Sequence, residues 1–257
     1  MPIKSAVAIL ALIALAGCHF GQLPDPNAKA AKTSKYDGKA LQANVLQVNK
    51  MLTDRQVRGE IDGVAKRQIL HRYIREQLQG VDKSKIPADQ AWRFGDVYRQ
   101  LDDWRSTNEL YMEAVKVATE NKDEDRRVND SLRLAESMAH LGDVEGGIKE
   151  VRSTFDAAPT GKAPILMATL YEFAPAALGQ GRDLDIARLL EDAIDQHMHT
   201  IVDPETEAGK DFMRARHYHV RRAWEAVIRI YRMQGTDEQL RSAIEQSDEM
   251  LRKFVSV

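Results

Sequence analysis

Histidines are the residues with metal-binding or acid–base chemistry that are most unevenly placed in this sequence. Four of the seven are His197, His199, His217 and His219, which form two His-X-His pairs on either side of Pro204. Residues two apart on a helix point in nearly opposite directions, so neither pair can chelate a metal by itself. One histidine from each pair, such as His197 and His217, would have to meet across a helical hairpin. We expect structural histidines buried between helices, with a metal site as the alternative.

Motifs that would indicate catalysis are not found in the sequence. There is no Ser/His/Asp order typical of hydrolases, no phosphate-binding glycine loop and no His-Glu-X-X-His motif. Cys18 is the single cysteine, which excludes an internal disulfide and a zinc site built on several cysteines. Lysine and arginine number 37 against 39 aspartates and glutamates, a balance that disfavours nucleic-acid binding. We therefore expect no enzymatic activity, no cofactor and no nucleic-acid partner.

The N-terminus has the profile of a secretory signal peptide over residues 1–17. Lys4 is followed by an apolar run that is shorter than the roughly 20 residues needed to span a membrane. The run ends in the segment 15–18, Leu-Ala-Gly-Cys, which resembles the lipobox of bacterial lipoproteins. That resemblance implies cleavage before Cys18 and acylation of this residue, including palmitate, so that the mature protein lies on a membrane. An ordinary cleaved signal followed by a free thiol is the alternative.

The residues after Cys18 bear on its location in the cell. The second residue of the mature chain would be His19 rather than aspartate. By resemblance to lipoprotein sorting in bacteria with two membranes, this implies the outer membrane, with the protein facing the periplasm. Residues 18–35 have no apolar period and are predicted to be the acylated cysteine and a flexible tether.

From residue 36 onward, apolar residues recur with helical spacing and no alternating strand pattern is found, which predicts an all-α fold. Residues 36–87 are predicted to form two N-terminal helices. The first carries Val45, Val48 and Leu52, and the second runs from Val57 to a stop at Gly80.

Residues 88–257 carry a pattern that repeats. A first copy starting at Ala88 has Phe94, Gly95, Tyr98, Leu101, Trp104, Tyr111 and Ala114, and a second starting at Val128 has Leu134, Ala135, Met138, Leu141, Gly142, Gly147, Val151, Phe155 and Pro159. These offsets resemble the tetratricopeptide repeat (TPR), a helical hairpin of about 34 residues. The resemblance implies a TPR-like α-α superhelical solenoid, with two further, degenerate hairpins after Pro164. The charged stretch 121–127 is interpreted as a solvated extension of the hairpin turn.

In the TPR family the first helix of each hairpin lines a concave groove that binds peptides or proteins. Carried onto this sequence, the groove positions give a candidate partner-binding set of Trp92, Asp96, Arg99, Leu132, Glu136 and His140. Trp92 is assigned equally to the groove and to the core, since the family often has a tryptophan one position earlier. Arg99 and Glu136 are expected to be exposed, and Trp104 and Tyr111 to be buried between helices.

The sequence therefore predicts a membrane-anchored envelope lipoprotein that serves as a TPR-like scaffold for a protein partner. Its general layout is similar to that of the pilotin lipoproteins that assist secretin assembly. The alternative is an envelope protein that binds a metal or an anion through the helix from Lys210 to Arg232, which is rich in arginine and histidine. A solvated helix face explains the same arginines.

The first testable prediction concerns Cys18. Mass spectrometry of the mature N-terminus is expected to show an acylated peptide that begins at Cys18, because the lipobox-like segment ends there. A mature chain that begins elsewhere, or an unmodified Cys18 thiol, would contradict the assignment.

Overall fold

The computed structural model describes residues 35–156 and 165–255. The predicted signal peptide, Cys18 and the tether up to Ser34 lie outside these residues, as do Pro159 and Pro164. All regular secondary structure in the two described ranges is helical, which confirms the all-α prediction. None of the helices described is long and apolar enough to cross a membrane. The chain divides into two compact units, with the boundary between Ile86 and Pro87.

In the first unit, the described residues from Lys35 onward form two α-helices and a short 3-10 turn. Helix α1 spans Gly38–Val57 and helix α2 spans Gly63–Gln77, followed by the turn Lys83–Lys85. Asp37 and Asp62 cap the two helices, because their carboxylates accept hydrogen bonds from backbone N–H groups of the first turn. Val45, Val48, Leu52 and Ile74 are buried, as their spacing predicts.

The predicted start of the second helix was wrong. Val57 is the last residue of α1, and its side chain is exposed. Gly59 has a φ of +73°, a left-handed conformation that a helix interior does not contain. The chain therefore turns there, and α2 begins only after the cap at Asp62.

The second unit begins with a 3-10 turn, Ala88–Gln90, and then contains nine α-helical segments within the described residues. These are α3 (Ala91–Arg99), α4 (Trp104–Glu120), α5 (Glu124–His140), α6 (Val144–Ser153), α7 (Ile165–Ala168), α8 (Ala174–Ala177), α9 (Asp183–Met198), α10 (Glu207–Gln234) and α11 (Asp237–Val255). A π-helical turn, Thr169–Phe173, joins α7 to α8. Consecutive helices pack against each other from α3 to α6 and from α9 to α11.

Short turns with an aspartate at the end connect helices α3 to α6. Asp103, Asp123 and Asp143 each accept a hydrogen bond from the backbone N–H three residues later. A helix break lies at Leu141-Gly142-Asp143, where Gly142 has a φ of +91°. The interpretation of residues 121–127 as a solvated turn was wrong in its second half. Residues 124–127 form the first turn of α5, which starts one turn before the predicted Val128.

The π-helical turn has a cause in the sequence. Pro175 lies in the first turn of α8 and has no N–H group to donate into the preceding turn. The backbone N–H of Ala174 bonds to the carbonyl of Thr169, five residues earlier. Because of this wider turn, the chain accommodates the proline and stays helical from Ile165 to Ala177.

Small residues set how closely the helices of the second unit approach. A Cβ atom on Gly95 would lie 2.9 Å from the ring of Tyr111, and one on Gly147 would lie 2.6 Å from the ring of Phe173. Both rings are almost fully buried. Ala135 is also fully buried, and its carbonyl oxygen would lie 3.0 Å from the same Cβ atom on Gly147. Gly95 and Ala135 therefore lie at close contacts between helices.

The second testable prediction is that Gly147→Ala destabilises the protein, by about 1–3 kcal/mol, because an added methyl group would overlap the ring of Phe173 and crowd the carbonyl of Ala135, 3.0 Å away. Gly63→Ala is the matched control, since its nearest neighbour is the flexible side chain of Gln56 at 3.4 Å. Urea unfolding followed by circular dichroism measures both variants. Equal stability of Gly147→Ala and the wild type would contradict the close contact.

Candidate functional site

Charged side chains connect α3, α5 and the π-helical turn. Arg99 of α3 donates two hydrogen bonds to Glu136 of α5, with N–O distances of 2.6 Å and 3.2 Å. The same guanidinium lies 3.2 Å from Glu172 of the π-helical turn. Glu172 also pairs with Arg133 of α5. Two arginines and two glutamates thus form one network across α3, α5 and the π-helical turn.

This network is largely removed from water. Glu136 is buried, and the side chains of Arg99, Arg133 and Glu172 are only 23–29% exposed. Burial, together with the neighbouring Arg99 guanidinium, lowers the pKa of Arg133. Buried charges are costly unless they are paired, so the four groups depend on each other for their position. The expectations that Arg99 and Glu136 are exposed were both wrong.

Asp96 and Leu132 belong to the packed interior around this network. The hydroxyl of Tyr111 donates a hydrogen bond to the carboxylate of Asp96, and burial of the ring with this carboxylate nearby raises the pKa of Tyr111 well above its usual value. Tyr111 is buried, as predicted. Leu132 is 3% exposed and lies in the hydrophobic core, so its assignment to an open groove surface was wrong.

Trp92 lies on the wall of a separate cavity of about 200 Å³. Its side chain is half-buried, and the guanidinium carbon of Arg126 lies 3.7 Å from the centre of the indole. The guanidinium of Arg93 is 4.0 Å from the same centre. The cavity is formed by the start of α3, the end of α4 and the start of α5. Its other lining residues are Ala88, Asp89, Ala114, Val117, Ala118, Asn121, Asp123 and Asp130.

Asp130 is the most unusual group in the cavity wall. Only 3% of the residue is exposed, and its carboxylate pairs with Arg126 one helical turn earlier. Burial raises its pKa from 3.8 to about 6, and the carboxylates of Asp96 and Asp123 act in the same direction, against the effect of Arg126. A carboxylate that is kept in place despite this penalty is typical of a functional position.

His140 is exposed at the end of α5, one helical turn after Glu136. It stacks on Trp104 of α4, with ring centres 3.6 Å apart and planes at 11°. Burial against this ring lowers the pKa of His140. Trp104 is only half-buried, so the expectation that it is enclosed between helices was wrong.

An aromatic cluster that sequence reasoning missed lies further along the chain. Tyr171 of the π-helical turn is 43% exposed, and its hydroxyl is 3.0 Å from Nδ1 of His219 on α10. Tyr218, which is 52% exposed, contacts the same imidazole.

The Arg126–Asp130 pair could have been found from the sequence, because it has the i, i+4 spacing of helical ion pairs. Nothing in the spacing of Tyr171 and His219 indicates their contact.

The candidate histidines for a metal site do not come together. His197 is 4% exposed, packs against Phe212 and leaves its Nε2 atom without a hydrogen bond. Burial lowers its pKa to about 4, with the charge of Arg216 adding to the effect. His217 is exposed and contacts Phe254. Within residues 35–156 and 165–255, no three histidine, cysteine or acidic side chains are grouped to hold a metal.

Several arginines of α10 already have acceptors in the structure. Arg214 pairs with Asp211, Arg222 pairs with Glu225, and the guanidinium of Arg216 donates to the carbonyl of Thr200 at 2.9 Å. The ion pairs within the helix are exposed and screened by solvent, as expected for a solvated helix face.

Comparisons with known proteins leave the family of this chain open. No protein-family model matches the sequence, and no curated protein matches it. Among solved structures, the chain is similar to that in the crystal structure of BtubC (BKLC) from P. vanneervenii. The two are 13% identical, with a TM-score of 0.45 and coverage of 86% of this chain and 84% of that chain. A likeness of this size establishes neither a shared fold nor a shared function.

The third testable prediction is that Asp130→Asn stabilises the protein at pH 7, by about 1–3 kcal/mol, because the amide removes the burial penalty of a carboxylate whose pKa is raised by burial. Below pH 3.8 the carboxyl is protonated in both the folded and the unfolded state. As the pH rises from 3.8 to 6, the unfolded chain loses this proton first, so the wild type loses stability in this window.

The stability difference between Asp130→Asn and the wild type should therefore be small near pH 4 and grow up to pH 7. Urea unfolding at a series of pH values measures it. A variant that is less stable than the wild type at pH 7 would mean that the Arg126 ion pair outweighs the burial penalty.

Proposed function

We propose that this chain is an envelope lipoprotein, anchored through Cys18, whose helical hairpins form a TPR-like scaffold that binds a protein partner. In such an arrangement the first helices of successive hairpins would be α3, α5, the segment from α7 to α8, and α10. The observation that carries the proposal is a continuous row of side-chain contacts across these elements. Arg99 joins α3 to α5, Arg133 joins α5 to the π-helical turn, and Tyr171 joins that turn to α10.

This row supports a TPR-like arrangement because the family packs its first helices side by side. The backbone contacts agree with it. Helix α5 packs on α7, the π-helical turn and α8, and α7 packs on α10, while among the second helices α6 packs on α9. A stack of this kind presents one continuous face to a partner, to which every hairpin contributes.

The chemistry of the exposed part of this face suits protein recognition. Tyr171 and Tyr218 leave about half of their side chains in solvent beside the imidazole of His219. Tyrosines of this kind supply a large apolar area and a hydroxyl with little loss of conformational entropy, and they are enriched among the residues that dominate binding energy. The buried Arg99–Glu136 network behind them holds the helices in register.

The anchor part of the proposal rests on the sequence of residues 15–18. Several acyl chains on Cys18 would hold the protein stably on a membrane, whereas a single chain would give only marginal binding. Residues 19–35 would then act as the spacer between the lipid and the helical units. In a cell with two membranes, His19 after the cysteine favours the outer membrane, facing the periplasm.

The alternative of a metal- or anion-binding protein built on residues 210–232 is less well supported. Its candidate ligands lie in different surroundings. His197 is buried against Phe212, whereas His217 is exposed beside Phe254. Arg214, Arg216 and Arg222 have partners within the chain. No observation in the structure favours this alternative.

The fourth testable prediction concerns partner capture. The full-length lipidated protein is crosslinked in its native membrane and isolated, and the bound protein is identified by mass spectrometry. The double variant Tyr171→Ala, Tyr218→Ala is expected to lose capture by tenfold or more, since truncating a tyrosine at the centre of an interface often costs above 1 kcal/mol.

Met112→Ala is the matched control, because Met112 is an exposed apolar residue of α4, a second helix of its hairpin. It should capture the partner as the wild type does. If the tyrosine variant keeps its melting temperature and still captures the partner fully, the scaffold face lies elsewhere. If the wild type captures no protein, the proposed function is wrong.

A further inference from the structure

The Trp92 cavity, which is lined by residues from the start of α3, the end of α4 and the start of α5, has a size suited to a single side chain. Its volume of about 200 Å³ is below the range of about 300–1,000 Å³ that is typical of small-molecule sites. Methyl groups of Ala114, Val117 and Ala118 and the indole of Trp92 provide apolar lining. An inserted aliphatic chain would therefore be covered on several sides.

The polar groups of this cavity are mainly acidic. The carboxylates of Asp89, Asp123 and Asp130 line it together with the guanidinium of Arg126, and the guanidinium of Arg93 also lies against Trp92. Asp89 and Asp123 are exposed, whereas Asp130 is buried. When these four groups and Arg93 are charged, the carboxylates outnumber the guanidinium groups by one, although the chain as a whole is close to neutral.

An aromatic wall, an apolar surface and surplus carboxylates together match one class of ligand. Lysine and arginine side chains have an aliphatic stem that packs on apolar surface and a cationic head that prefers carboxylates and aromatic faces. Arg126 already demonstrates this chemistry inside the cavity, since its guanidinium lies over Trp92 and pairs with Asp130. A neutral or acidic side chain would leave the surplus charge uncompensated.

We propose that the Trp92 cavity receives one lysine or arginine side chain of the bound protein partner. The proposal rests on the proposed scaffold function and adds the chemistry of the partner, a basic segment. Trp92 contributes the aromatic wall, Asp89 and Asp123 meet the cationic head at the rim, and the Arg126–Asp130 pair closes the inner end. Recognition of a basic segment here would act together with the tyrosine cluster of Tyr171 and Tyr218.

A peptide probe tests this directly. The full-length protein in detergent is titrated at physiological salt with a fluorescein-labelled peptide of alternating lysine and glycine, and binding is followed by fluorescence anisotropy. A second peptide with norleucine in place of lysine keeps the aliphatic stem and removes the charge. The lysine peptide is expected to bind at least tenfold more tightly than the norleucine peptide.

The decisive variant is Asp89→Asn combined with Asp123→Ser, which removes two rim charges while serine preserves the cap of α5. Its matched control, Asp195→Asn with Asp211→Asn, removes two exposed charges outside the cavity. The rim variant is expected to bind the lysine peptide at least tenfold more weakly, and the control within twofold of the wild type. Trp92→Ala should weaken binding about fivefold, while Trp92→Phe keeps most of it.

Equal weakening in the rim variant and the control would overturn the proposal, since it would show only general attraction of a cation to the protein. Absence of lysine-peptide binding to the wild type would also overturn it. Capture of the native partner separates this proposal from the scaffold function. A partner that is lost from the tyrosine variant but retained by the folded rim variant contradicts the basic-segment proposal alone, whereas a wild type without any partner contradicts the scaffold function.

Discussion

The close approach of helices at small residues is the constraint on which the second unit depends. Gly95 leaves room for the ring of Tyr111, and Gly147 leaves room for the ring of Phe173, so each aromatic side chain fills the space beside a glycine of a neighbouring helix. Because Tyr111 lies against α3, its hydroxyl reaches Asp96. Because α5 and α6 are close together, Phe173 and the helical segment around it pack against both. The charged row across α3, α5 and the π-helical turn follows from this packing.

The buried charges of the unit contribute more to its specificity than to its stability. Glu136 is almost fully removed from water, and it is paired with Arg99. Replacing such pairs with apolar residues is often neutral or stabilising in proteins, whereas removing one partner is costly. An alternative packing of α3, α5 and the π-helical turn that separated Arg99 from Glu136 and Glu172 would leave charges unpaired. The pairs therefore favour one arrangement of the helices over others, which a binding face made from several helices requires.

The two proposed binding sites have different chemistry. The cluster of Tyr171, Tyr218 and His219 offers aromatic area with hydroxyl and imidazole groups, and the Trp92 cavity offers an apolar site with surplus carboxylates. Interface energy is usually concentrated in a few such anchors, with the surrounding contacts near neutral. A partner that contacts both sites would need an apolar or aromatic segment and a basic residue at a fixed separation, which makes recognition selective even where each contact is weak.

The sequence by itself determined the helices, most of their ends and the residues that form the core. Apolar residues at helical spacing, the capping aspartates and Gly142 are local signals, and Val45, Gly95, Ala135 and Tyr111 are buried as their positions in the pattern predict. Local signals also explain the two errors in helix starts, since Gly59 and Asp123 mark the observed boundaries. The assignment of Cys18 likewise depends on local sequence and lies outside the described residues.

Only the tertiary structure decided which polar side chains meet. A repeat register assigns positions to a face, but whether a side chain on that face is open to a partner depends on what the neighbouring helix places against it. Glu136 and Leu132 are buried, and Arg99 pairs with two glutamates. Trp92 lines a cavity, where the guanidinium of Arg126 lies over its ring. The contact of Tyr171 with His219 joins residues far apart in the sequence, and a pairing of that kind arises from helix packing, which no local pattern encodes.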